Sequence, residues 1–162
     1  MALKKIGDWY RVHRLINSLT KEMLVAQKLS LIRFGLKAEA LAKTHMSKQD
    51  LNWTPLSTKY LVRKVRSQSP RLSENILEAT GSYFSAITTY VKRDTVYAGV
   101  RKEAKDKDDN NIANIAAVHE YGSRTGHIPK RPLWKPTFRE VVAWHVKENI
   151  PEFHLIKALK KY

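Results

Sequence analysis

Cysteine is absent from this chain, which removes disulfides, thiolate metal sites and thiol nucleophiles from the chemistry available to it. No run approaches the roughly 20 apolar residues that span a bilayer, so no membrane partner is expected. The opening residues, Met1 to Asp8, carry Lys4 and Lys5 but no following apolar core or small-residue cleavage site, so a secretory leader is not expected either. Glycines that could cradle a phosphate are missing as a pattern: Gly81, Gly99, Gly122 and Gly126 are too scattered, and no nucleotide cofactor is implied. Ser82 and Ser123 each adjoin one glycine without the Gly-x-Ser-x-Gly setting of a serine nucleophile. Acidic side chains are scarce, with 15 Asp and Glu against 30 Lys and Arg and a formal net charge of +15.

That imbalance points to a polyanion or an acidic protein surface nearby. It is uneven: residues 1–72 hold 15 basic and 4 acidic side chains, a net of +11, whereas 73–162 net only +4. A hydrophobic fraction of 43% over 162 residues is enough for one folded domain. The expected organisation is a single α+β domain over 1–162, with a helical region at 1–49, an α+β core at 50–149 and a basic tail at 150–162.

Between Leu19 and His45 there is neither proline nor a turn cluster, and Val25, Leu29, Ile32, Leu36 and Ala40 recur at three- and four-residue steps. This spacing predicts a long amphipathic helix. Gly7 to Ser18 is also helix-compatible, so a helical hairpin and a single bent helix both remain open. Asp50 to Pro55 is a break; Ser57 is a candidate N-cap for a short helix carrying Tyr60, Leu61, Lys64 and Val65 and ending at Ser67 to Pro70. Glu74 to Ala79 reads as a helical turn stopped by Thr80-Gly81. Tyr83 to Val91 and Thr95 to Arg101, rich in Tyr, Ile, Thr and Val, predict a β-hairpin turning at Lys92-Arg93-Asp94. Lys102 to Asn111 is an exposed, mobile charged loop by composition. Asn111 is expected to cap a helix through Val118, and helical spacing resumes from Thr137 to Glu148. Ile150-Pro151 breaks that helix, leaving the tail to Tyr162 as a short basic helix.

The densest signal is His119 to Phe138, which holds Pro129, Pro132 and Pro136, Gly122 and Gly126, and the rings of Tyr121, Trp134 and Phe138. Prolines fix φ and glycines open otherwise forbidden backbone angles, so a defined non-helical path is expected, suited to docking against protein. Catalytic readings fare poorly. His119, Glu120 and His127, with His145, have the donor types for zinc but not the spacing, and packing or loop hydrogen bonding is the competing account. Glu103, Asp106, Asp108 and Asp109 sit among lysines as a solvated loop rather than a catalytic pair. Lys59, Tyr60, Arg63, Lys64, Arg66 and Arg71 form the best basic cluster for DNA or an acidic partner, weighed against a solvated helix face, and no nucleic-acid-binding motif accompanies them.

Taken in order, Asn52-Trp53-Thr54-Pro55-Leu56-Ser57, Ile76-Leu77-Glu78-Ala79-Thr80-Gly81-Ser82-Tyr83, Val96-Tyr97-Ala98-Gly99, Ile115 to Gly122, and Ile128-Pro129-Lys130-Arg131-Pro132-Leu133-Trp134 resemble the tailed-phage virion morphogenesis family. These are neck or tail-completion proteins, including Mu G-type proteins and head-to-tail joining proteins of siphophages. The resemblance covers roughly residues 50–140; one departure is Lys135-Pro136, where family loops often continue as an apolar aromatic run. It implies a structural subunit and not an enzyme, without a cofactor or metal, forming a ring, commonly hexameric, between the head-closing connector and the tail terminator or tail tube. The implied location is the neck of a virion assembled in the host cytoplasm, with DNA in the conduit. Contact residues implied on this reading are His119, Glu120, Tyr121, Gly122, Ile128, Pro129, Arg131, Pro132, Leu133 and Trp134. Lys59, Arg63, Lys64, Arg66 and Arg71 would face DNA or an acidic neighbour. Two other functions compete: sequence-independent DNA binding through the basic N-terminal half, and a metal-dependent hydrolase centred on His119 and His127.

Overall fold

The computed structural model describes residues 7–67, 75–78, 80–148 and 156. Expectations for Arg71, for the chain after Ser67 through Glu74, and for the break at Ile150-Pro151 and the tail lie outside those residues, apart from Ile156, which is helical and exposed. The fold is α+β. Helix α1 runs Trp9–Lys48, α2 Thr58–Ser67 and α3 Ser82–Ala86; strands β1 (Ile87–Lys92) and β2 (Thr95–Val100) follow, then α4 (Ile112–Tyr121) and α5 (Trp134–Lys147).

Helix α1 is one continuous helix rather than a hairpin, and its 40 residues span about 60 Å. Asp8 opens it by accepting from the Arg11 amide at 3.0 Å. The inward face is not the stripe the large apolar residues suggest. Ala26, Ser30, Gly35, Ala38, Ala42, His45 and Met46 are buried, while Val25, Leu29 and Leu36 point to solvent. The reason is distance between backbones: a Cβ on Gly35 would come within 2.5 Å of Val96 Cγ1 and 2.7 Å of Thr89 Cγ2, so only small residues let the helix sit against the hairpin. The Thr89 hydroxyl donates to the Gly35 carbonyl at 2.9 Å across the same contact. Further along, α1 packs on α5 through Phe34, stacked on Phe138 and edge-on to His145, with Ser30 Oγ 3.3 Å from His145 Nε2.

The hairpin pairs antiparallel from Ile87 with Val100 to Lys92 with Thr95, and Tyr90 stacks on Tyr97 across it. Tyr83 to Ala86, expected as strand, are instead the short helix α3, closed by the Ser85 amide donating to the Gly81 carbonyl. Leu77 lies in a turn rather than a helix, and its neighbour Ile76 is held by a two-way hydrogen bond with the Gln49 side chain. The sequence-expected caps are present: Ser57 Oγ accepts from the Tyr60 amide and Asn111 Oδ1 from the Asn114 amide. The main core gathers Met46, Trp53, Leu77, Tyr83, Ile87, Ile112, Ala116 and Leu133. It is drawn from every element except β2, α2 and the body of α5.

Candidate functional site

The stretch from His119 to Phe138 is not loop throughout. His119 to Tyr121 complete α4 and Trp134 to Phe138 begin α5, leaving residues 122–133 as the connection. Pro136 is tolerated in the first turn of α5, where backbone amides have no intrahelical acceptor. Gly122 ends α4 with φ 84°, and a Cβ there would approach the Lys130 side chain at 3.1 Å. The connection is folded on itself: the Ile128 amide donates to Ser123 Oγ at 2.9 Å and the Ser123 amide to the Ile128 carbonyl at 3.0 Å.

Its far end is fastened to the segment before α2. Trp53 Nε1 donates to the Pro132 carbonyl at 2.9 Å, and Arg131 donates through Nε to the Thr54 carbonyl at 3.0 Å and through Nη2 to the Pro55 carbonyl at 3.3 Å. The Glu120 carboxylate accepts from the Leu133, Trp134 and Lys135 amides at 2.7, 3.1 and 3.2 Å, capping α5 from the last turn of α4. Two motifs far apart in the chain are therefore one structural unit.

This redistributes the expected contact residues. Leu133 is fully enclosed and Arg131 is 5% exposed, so neither side chain lies on an open face for a partner: Leu133 fills its own core, and Arg131 ties the connection to Thr54 and Pro55. Glu120 is engaged as a cap, and Pro129, Pro132, Gly122 and Trp134 are half-buried, with Trp134 packed against Phe138. Tyr121, at 74% exposure, and Ile128 remain on the surface. In the basic cluster, Lys59, Arg63 and Arg66 are exposed, and the Arg63 guanidinium lies over the Tyr60 ring. Lys64, expected beside them, points inward at 4% exposure and donates to the Asn75 carbonyl at 2.6 Å.

Between α2, the turn at Leu77, α4 and the connection lies a cavity of about 520 Å³. Leu56, Ile112, Ile115 and Ile128 supply apolar wall; Lys64, His119, Arg131 and Tyr83 supply polar atoms. Burial lowers the Lys64 pKa, an effect that nearby Glu78 opposes. Burial, and next the Arg131 charge, lower that of His119, so its imidazole is neutral near pH 7. His119 Nδ1 is buried without a hydrogen-bond partner. Burial likewise pushes the Tyr83 phenol well above its ordinary value, keeping it protonated. The basic cluster and the proline-rich connection, read separately in sequence, thus meet at one cavity through Lys64 and Arg131. The signal for Lys64 was its spacing, three and four residues after Leu61 and Tyr60, which places it on the packed face of α2. Leu56 and Tyr83 stand in the ordered motifs of the sequence, but nothing local marked them as cavity residues.

Among the described residues, no group of three or more His, Asp or Glu side chains converges to hold a metal ion. The cavity's arrangement of cations, a neutral imidazole and a protonated phenol suits holding negative charge. No helix among the described residues is long and apolar enough to cross a membrane. Comparison of the chain with protein-family models, with curated proteins and with solved structures finds no match in any of the three.

Proposed function

We propose that this chain is a structural subunit of the neck or tail-completion kind, joining a DNA-filled head to a tail as part of a closed ring. The observation that carries this reading is the outer half of α1. From Trp9 to Val25 no residue is buried, and Trp9, Tyr10, Val12, Leu15, Ile16, Met23, Leu24 and Val25 all face solvent. Trp9, Val12, Ile16, Leu19 and Met23 follow alternating three- and four-residue steps, the pattern of a helix that packs along another. An apolar arm of that length is a surface for assembly rather than for a free monomer. Tyr121 and Ile128, presented on a connection already fastened internally, add an anchor whose ordering cost is met before association. The ordered motifs supply the family reading, and heterologous contacts that close on themselves make rings. The net charge of +15 suits a passage for DNA or an acidic neighbouring ring.

The test is a double variant of the arm, Ile16→Asp with Met23→Asp, used to complement particle assembly. The expected result is unchanged circular dichroism with tailless heads beside unattached tails in negative stain. Normal virions from the variant sink the proposal.

A second reading, sequence-independent DNA binding, is favoured by the exposure of Lys59, Arg63 and Arg66 together on α2. It predicts an affinity that falls steeply with salt and is lost when these three are changed to Gln. Absence of binding at low salt removes it.

A further inference from the structure

We propose that the cavity between α2, α4 and the 122–133 connection is a binding site for a carboxylate carried on an apolar body. This inference stands apart from the assembly reading, because it uses the inner surface of the fold and not the arm of α1.

The argument begins with the charges at the cavity. Arg131 is always protonated and 5% exposed, yet its guanidinium donates to the backbone carbonyls of Thr54 and Pro55. Among the described residues no carboxylate forms an ion pair with it. A guanidinium has five N–H donors and a fork matched to a carboxylate, and a desolvated one gains most from an anion. The neighbouring charges do not serve it. Glu78 lies where it supports Lys64, and its carboxylate accepts from Asn75 Nδ2 at 2.7 Å. Asp106 borders the cavity, but its carboxylate accepts from the Asp108 and Asn110 amides at 2.9 Å within its own turn.

His119 lines the cavity beside Arg131, whose backbone amide donates to the His119 carbonyl at 2.7 Å, so its ring reports on what occupies the space. The remaining wall sets the rest of the ligand. Leu56, Ile112, Ile115 and Ile128 offer apolar surface, and about 520 Å³ admits a body the size of a phenyl or branched alkyl group. Inorganic anions would leave that wall uncovered. The carboxylate can reach the site as a free small acid or as the end of a polypeptide.

The experiment is a chemical-shift titration of the isotopically labelled full chain with 3-phenylpropionate, 3-phenylpropanol, 3-phenylpropylamine and acetate. Expected are saturable shifts at the Ile115 and Ile128 amides and the His119 ring with 3-phenylpropionate. Its affinity should be at least about tenfold tighter than the alcohol's, with no saturation by the amine or by acetate. Arg131→Lys, which keeps the charge but not the fork, should weaken the acid by about tenfold or more. N-acetylphenylalanine binding more tightly than 3-phenylpropionate assigns the site to a chain terminus, and the reverse order to a free acid. Equal binding of acid and alcohol, saturation by the amine, or shifts confined to other parts of the molecule would overturn the proposal. Since Arg131→Lys can weaken the fold by loosening Thr54 and Pro55, the probe series on the unaltered chain decides by itself.

Discussion

Glu120 holds the start of α5 with one carboxylate, through three backbone amides that the first turn of a helix leaves without acceptors. Replacing it with Gln keeps the shape and removes the charge that strengthens those bonds. Glu120→Gln should therefore cost about 1–2 kcal/mol in urea unfolding, with an unchanged m-value. At the same turn of α4, His119 makes stability depend on pH. Its folded pKa lies below the ordinary 6.5 because of burial, with the Arg131 charge adding to it. Above that value both folded and unfolded states carry a neutral ring, and nothing is lost. As pH falls through it the unfolded chain takes up a proton that the native state refuses, so stability drops until the lowered folded value is passed. His145, also lowered by burial, acts in the same direction. Thermal unfolding followed from about pH 7.5 to about pH 5 should show a falling midpoint, with a shallower slope in His119→Gln. Neither role was legible in the sequence: His-Glu beside a proline-rich stretch admits metal ligation, docking or capping, and only the position of α5 selects among them.

Helix α1 shows how an element can be recognised and its orientation mistaken. Its existence followed from an unbroken run without proline, but the large apolar residues define the wrong side. Contact with the hairpin demands close approach, so Gly35, Ala38 and Ala42 turn inward while Leu29 and Leu36 turn out. Gly35→Ala makes the balance measurable. Alanine improves helix propensity by about 1 kcal/mol, but its Cβ would meet Val96 and Thr89 well inside contact distance. Both neighbours are β-branched on a paired strand and have little freedom to yield. The clash should win, with a net loss of about 1–3 kcal/mol in chemical denaturation. The existence of the hairpin and the caps at Ser57 and Asn111 were readable because alternation and capping are local, whereas the hairpin register was not: Lys92, expected in the turn, belongs to β1 and pairs with Thr95. The helical turn at Tyr83 was not readable either, since its β-favouring composition is overridden by the turn at Gly81 and burial of the Tyr83 ring.

At the scale of the molecule, α1 belongs to two environments. Its inner half is sandwiched against the hairpin and α5, whereas residues 9–25 have no buried member. A helical segment with no buried residue is held mainly by its own hydrogen bonds and opens readily. Amides of residues 9–25 should exchange with solvent about a hundredfold faster than those of 35–46 in the isolated chain. Protection of the outer half should rise when the arm is engaged in an assembly. Exchange mass spectrometry of free and assembled protein checks both. Composition, hydropathy period and capping residues determined on their own that this is an α+β chain with a long first helix, a hairpin and a surplus of positive charge, because each rests on neighbours a few residues apart. Tertiary structure alone decided which side of α1 is covered, that Trp53 and Arg131 lock two distant motifs together, and that Lys64 and His119 border one cavity. Those facts depend on which backbones approach one another, and local spacing does not encode that distance.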